Sequence, residues 1–291
     1  MQLSVQSVIS IILSIIGIHG IIINSAILSV YIRLWRTSNR LGASDPILLS
    51  MALTNLLLVS QLLLSDYLSF FHPEINTGIL YLFYVLFVLF NMSLWNTAWL
   101  SICYCVKLVT VTHRIFLWVK MWFPSSISKL LIGSAIWSVL VKLPFIWTAQ
   151  MMIQQNTNVT DGSIDFSEKV NVPFKVMNLL LSYVLPFTLT VTCIGLSVTS
   201  LLHHVWRIRQ NVSQDSSSPQ LQALVRAAVT MILHVVLDLN FLFILIYPFA
   251  VSFYMSPMVQ TLFWVYFFSY PSVKAFILII GNRMLRRSLF R

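Results

Sequence analysis

Charge is the scarcest thing in this sequence. Only 9% of its 291 residues are Asp, Glu, Lys or Arg, and just 8 of them are acidic. A soluble domain carries roughly a quarter charged residues, so this chain has too few to cover a water-facing surface. Cysteine is scarce as well. Cys103, Cys105 and Cys193 all lie within apolar runs, so none is placed to staple an outer loop and no disulfide is predicted. Catalytic signatures are missing: there is no phosphate-binding glycine loop, no nucleophile elbow, no His-Glu-x-x-His and no pair of carboxylates at a helix end. Enzyme chemistry and a bound cofactor are therefore not expected. His234 and Asp238 alone are too few convergent ligands for a metal.

What fills the chain instead is apolar. The hydrophobic set makes up 58% of the residues, and mean hydropathy is +0.86. With the bilayer as solvent, backbone groups must be satisfied within helices or closed barrels. The apolar stretches run about 20 residues without alternation, which excludes a barrel. Seven spans are predicted: 7–32, 46–70, 79–106, 129–151, 176–202, 226–251 and 258–280. The expected fold is all-α, a seven-helix transmembrane bundle forming one receptor-like domain over 1–291. The third stretch is its organising element. It carries Asn91, Trp95, Asn96 and Trp99 and comes out at cations.

The net charge of +10 is a topology signal rather than a nucleic-acid footprint, because the cations sit in short links between spans. One side holds Arg33, Arg36, Arg40, Lys107, Arg114, Lys120, Lys129, Arg207, Arg209, Arg226, Arg283, Arg286, Arg287 and Arg291, and the other only Lys169 and Lys175. Cations stay cytoplasmic, which places the N-terminus outside and the C-terminus inside. Residues 2–6 carry no cation and no cleavage-like site, so the first span is read as an uncleaved anchor. The tail 282–291 reads as a short basic amphipathic helix on the membrane surface. Asn158-Val159-Thr160, in the long outer loop, is a glycan acceptor sequence. The lack of an internal repeat counts against an inverted-repeat transporter.

Ionisable residues inside a bilayer are costly and face the bundle or a cavity. His234 and Asp238 are four apart, on one helical face. They read either as a structural hydrogen-bonded pair or as a polar contact for a ligand. Trp95 and Trp99 are also four apart, beside Asn96. Trp99 lies below the depth where tryptophan usually collects, and large rings beside amides suit a small-molecule pocket as well as packing. Lys274, near the inner end of its span, is expected to snorkel inward. Lys142 needs a partner, and Asp238 is one candidate.

Seven spans with the N-terminus outside suggest a G-protein-coupled receptor by analogy of architecture. The motifs are more specific. Trp95, Leu100-Ser101, Tyr104 and Lys107, then 115–120, Leu185-Pro186-Phe187, Ser200-Leu201-Leu202-His203-His204, Ala223-Leu224, Tyr270-Pro271-Ser272 and the run 276–282 resemble the type 2 taste receptors, the bitter taste receptors, over nearly the whole chain. Asn24 and 45–48 agree. The Asp-Arg-Tyr and Asn-Pro-x-x-Tyr motifs usual in rhodopsin-like receptors are absent. The chain departs from the family at Asn55, where an arginine is usual, and at Lys274-Ala275, where a His-Ser pair is usual. The family's ligand position in span 7, often acidic, falls on Trp264.

The resemblance implies a plasma-membrane, multi-pass chemoreceptor for small bitter compounds, coupled to a heterotrimeric, gustducin-like G protein, with no nucleic acid involved. Trp95, Trp99, Phe241 and Trp264 would form apolar walls, with Asn96 and Asp238 as polar anchors and Asp66 at the rim. Lys107, Arg114, Lys120, His204, Arg207, Arg209 and Arg226 would line the G-protein face, and Asn158 would carry a glycan. The alternatives are a vomeronasal-type pheromone receptor, which shares the architecture, and a small-molecule or ion transporter using Lys142, His234 and Asp238 as a relay.

Overall fold

The computed structural model describes residues 5–37, 42–71, 76–109, 114–156, 172–211, 219–250 and 257–289. They form α1 (Val5–Thr37), α2 (Asp45–Phe71), α3 (Asn76–Leu108) and α4 (Arg114–Asn156). Next comes α5, which runs Val172–Leu179, through a wider π-turn at Leu180–Val184, into Leu185–Asn211. The last three are α6 (Pro219–Ala250), α7 (Pro257–Gly281) and a short α8 (Arg283–Leu289). Seven of these helices are long and apolar enough to cross a membrane, and no strand occurs among the described residues. At 1.5 Å per residue, the 33 residues of α1 reach about 50 Å, against about 30 Å of hydrocarbon.

The largest departure from the sequence reading is α4. It begins at Arg114, well before the predicted start at 129. Lys120 and Lys129 make the stretch read as a loop. In the helix both point outward and are exposed, while Phe123 and Ile127, four apart, are buried. The first half packs Phe123 and Ile127 on the bundle and turns its cations outward, beside the exposed Leu117, Trp118, Met121 and Trp122.

The π-turn in α5 has a local cause. Pro186 has no N–H to return to the carbonyl of residue 182, and the Leu185 N–H bonds instead to the Leu180 carbonyl. This five-residue spacing widens the helix and rotates the turns beyond Leu185.

The two larger of three apolar clusters are stacked along the membrane normal. The outer one gathers Leu58, Leu62, Leu86, Phe90, Tyr183, Phe241, Phe267 and Tyr270; the inner one gathers Tyr31, Met51, Leu100, Cys103, Phe123, Leu278 and Leu285. Both draw on α2, α3 and α7, and α3 is the most enclosed span of the seven. Ile11, Ile15, Ile18 and Ile22 of α1 are exposed, as is His19, which is the pattern of a face turned to lipid. Between the two clusters lies a band of buried polar side chains: Asn24, Asn55, Asn91, Ser93, Asn96, Asp238 and Lys274.

The inner end is closed by a cap. Asn282 Oδ1 accepts from the Met284 and Leu285 amides at 2.9 and 3.4 Å and so starts α8. Its amide nitrogen donates to the Tyr31 hydroxyl at 2.9 Å. Leu285 is buried while Arg283, Arg286 and Arg287 are exposed, as expected for a surface helix. Gly281, just before it, lets α7 approach α6: a Cβ there would collide with Thr230 Oγ1.

Candidate functional site

The polar band is costly to place in a bilayer. Ser93, Asn96, Asp238 and Lys274 are joined across helices, whereas Asn24 bonds only within α1 and the amides of Asn55 and Asn91 have no hydrogen-bond partner among the described residues. Lys274 of α7 is fully buried. Its Nζ donates to Ser93 Oγ at 2.8 Å, the Ser93 carbonyl at 3.1 Å and the Tyr270 hydroxyl at 3.0 Å. It forms an ion pair with Asp238 Oδ1 at 3.3 Å. The Tyr270 hydroxyl donates to the same carboxylate oxygen at 2.6 Å. One cation therefore ties α3, α6 and α7 together at mid-membrane. Lys274 does not snorkel inward: Ser93 and Asp238 sit at its own depth and satisfy it there.

His234 and Asp238 do not bond to each other. His234 Nδ1 donates to the Thr230 carbonyl at 2.8 Å, and Asp238 is committed to Tyr270 and Lys274. Lys142 is not Asp238's partner either. It lies in the outer half of α4, which packs on α2, α3 and the π-turn of α5. There it donates to Asn178 Oδ1 at 2.9 Å and to the Tyr183 hydroxyl at 3.3 Å.

The proposed ligand residues fall in three places. Asp238, Phe241 and Trp264 belong to the α6–α7 region of the outer cluster. Phe241 stacks on Phe90 with ring centroids 4.4 Å apart and touches Tyr270 at 4.6 Å. Trp264 is half-buried, nearly two turns further out on α7 than Tyr270, edge-on to Phe263 at 5.7 Å and to Phe267 at 6.1 Å. Trp95, Asn96 and Trp99 lie elsewhere on α3. Trp95 and Trp99 stack at 5.7 Å, and Trp99 continues to Phe123 of α4 at 6.4 Å. Asn96 is fully buried, donating to Thr54 Oγ1 and accepting from Ser50 Oγ of α2, both at 3.0 Å. Asp66 is at the outer end of α2, where it accepts from Ser10 Oγ of α1 at 3.4 Å.

At the inner face Lys107, Arg114 and Lys120 are exposed and Arg226 is half-buried. Lys107 donates to Ser44 Oγ at 3.3 Å. His204, Arg207 and Arg209 lie on the inner end of α5, with side chains outside the described residues; Asn158 is outside them altogether. No group of three or more metal-ligating side chains occurs among the described residues.

A family model described as taste receptor protein (TAS2R) matches residues 1–291. This chain belongs to the type 2 taste receptor family. Among its relatives are taste receptor type 2 member 4 of Gorilla gorilla gorilla, 29% identical over 226 residues, covering 77% of this chain and 75% of the relative. Taste receptor type 2 member 41 of Pan paniscus is 28% identical over 254 residues, covering 84% and 82%. Taste receptor type 2 member 4 of Pongo pygmaeus is 30% identical over 227 residues, covering 77% and 75%. The protein is thus a multi-pass membrane taste receptor of the bitter, G-protein-coupled type, from a family of receptors rather than enzymes.

The sequence reading misses the central joint of this taste receptor. It singles out Lys274 and Asp238 separately, and passes over Ser93. Tyr270 enters only as part of a motif. The available signal is spacing: Tyr270 and Lys274 are four apart on one face, as are His234 and Asp238 on the helix opposite.

Proposed function

We propose that this receptor sits in the plasma membrane as a single unit over 1–291, takes up small apolar or amphipathic bitter compounds from outside, and activates a gustducin-like heterotrimeric G protein. The observation that carries this reading is family membership along the whole chain. The geometry supplies a means. An aromatic cluster in the outer half rests directly on the joint between Lys274, Asp238, Tyr270 and Ser93. A ligand shifts an equilibrium only by its differential affinity for the two states. Displacement of Phe241 or Tyr270 changes the joint, and with it the packing of α3, α6 and α7.

Trp264, half-buried in the outer half of α7, meets the ligand first, with Asp66 at the rim and Phe241 and Asp238 at the floor. Trp95, Asn96 and Trp99 carry the response along α3 toward the inner half. Lys107, Arg114, Lys120, His204, Arg207, Arg209 and Arg226 present the cationic surface that meets the G protein, and Asn158 bears the glycan. The test is a calcium-release assay in cells that express the receptor with a promiscuous or gustducin-type α subunit. A dose-dependent response to bitter compounds, absent from mock cells, supports the reading. Silence across a broad panel, with surface expression verified, counts against it.

A further inference from the structure

The second buried lysine is treated differently from the first. Lys142 is 3% exposed, and its partners among the described residues are neutral: Asn178 and Tyr183 by hydrogen bonds, and the rings of Tyr183 and Phe87 at 4.5 and 5.9 Å from Nζ to centroid. Lys274 has Asp238; Lys142 meets no described carboxylate. An ammonium taken out of water without an opposite charge costs several kcal/mol, and amide dipoles and ring faces offset only part of that.

The surroundings are specialised as well. Tyr183 and Ser182 sit on the π-turn of α5, a distortion that collects at functional sites. Ser182 Oγ donates to Asn178 Oδ1 at 2.9 Å, so that oxygen already serves two donors while the amide nitrogen carries two more. Asn178 is half-buried and lies one turn closer to the outer surface than Ser182, which puts a polar step between outside and Nζ.

We propose that Lys142 is the counter-ion for an anionic ligand, a carboxylate or sulfonate on a small aromatic or apolar body. The acid group would take the ammonium and the Asn178 amide, and the body would lie on Phe87 and Tyr183. This site is on the α4–α5 flank, apart from the α6–α7 floor, and it rests on the receptor reading by naming a ligand class for it. Tyr183 shares the outer cluster with Phe241 and Tyr270, so occupancy reaches the central joint through packed rings.

The experiment compares naphthoate, naphthalenesulfonate and methyl naphthoate on purified receptor in lipid nanodiscs, by thermal unfolding, for wild type, Lys142→Met, Lys142→Arg and Asn178→Leu. A bound ligand raises the unfolding midpoint. The expected result is stabilisation by the two anions and not by the ester, abolished in Lys142→Met, partly kept in Lys142→Arg and at least tenfold weaker in Asn178→Leu. Equal effects of acid and ester, no effect of either anion, or an acid effect that survives Lys142→Met overturns the proposal. The calcium assay separates the two readings. Responses to other bitter compounds without any Lys142-dependent acid effect refute this site and leave the receptor. Lys142-dependent stabilisation without signalling supports the site and weighs against the receptor.

Discussion

The Tyr270 hydroxyl donates to Asp238 Oδ1 at 2.6 Å while accepting from Lys274 Nζ at 3.0 Å. One phenol thus stands between the two charges of a buried ion pair and touches both. Because the pair is itself 3.3 Å apart, the three groups form a closed triangle across α6 and α7. Ser93 fastens the triangle to α3. A partner lost from such a network leaves a charge in a medium that cannot solvate it, so the joint holds tightly in one arrangement and poorly in any intermediate one.

Removing one charge should be worse than removing both. Lys274→Met leaves the Asp238 carboxylate buried with only Tyr270, and Asp238→Leu leaves the ammonium with neutral partners. Each single substitution is expected to cost about 3–5 kcal/mol, while the double substitution recovers a good part of that. Thermal unfolding of the purified receptor, with surface expression alongside, measures the cycle. Additive losses would show that the pair is not coupled.

Tyr270→Phe keeps the ring packed on Phe241 and deletes only the hydroxyl. A lost buried hydrogen bond costs about 1–3 kcal/mol, so the receptor should still reach the surface. Ligand-independent signalling is expected to rise above wild type in an inositol phosphate assay, because α6 and α7 lose one tie. Unchanged basal signalling at equal surface expression would mean that the joint does not restrain the resting state.

Gly281 is required by the neighbour it faces. Gly281→Ala drives a methyl into Thr230 Oγ1, and overpacking of this kind costs roughly 1–3 kcal/mol. Adding Thr230→Ala removes the obstructing atoms and should restore most of the loss. The unfolding midpoints of the two single variants and the double variant test this directly. A double variant no better than Gly281→Ala alone would move the cause elsewhere.

Trp264 and Trp99 should differ in kind. Trp264→Ala removes a half-buried ring in the outer half of α7, and agonist potency should fall by about tenfold, the equivalent of about 1.4 kcal/mol, with surface expression kept. Trp99→Ala should also weaken potency without loss from the surface, and should in addition lower the unfolding midpoint, because Trp99 bridges Trp95 and Phe123. Dose–response curves beside surface labelling test the shared loss of potency, and the unfolding midpoint distinguishes the two. Unaltered potency in Trp264→Ala would place the ligand elsewhere.

Span number, span direction and family membership are legible in the residues alone, and each for a local reason. A stretch of about 20 apolar residues is long enough to cross hydrocarbon whatever it packs against. Orientation comes from cations counted in short loops, one loop at a time. Family motifs such as the run 276–282 are contiguous. The start of α4 is less legible because Lys120 and Lys129 look the same in a loop as on the outer face of a helix; only the burial of Phe123 and Ile127 against the bundle separates the two.

The partners of the buried charges are decided by tertiary structure. From sequence, Lys142 is a candidate partner for Asp238 and Lys274 is expected to snorkel inward, and nothing in the local pattern points to Lys274 instead. The choice depends on the rotation of α6, the depth of α7 and the identity of each helix's neighbours. These are set by side chains far apart in sequence: Lys274 meets Ser93 across 181 residues, and Lys142 meets Tyr183 across 41. Hydropathy and loop charge fix which stretches span and in which direction, but not a helix's angle about its own axis, and that angle determines which polar groups meet inside the membrane.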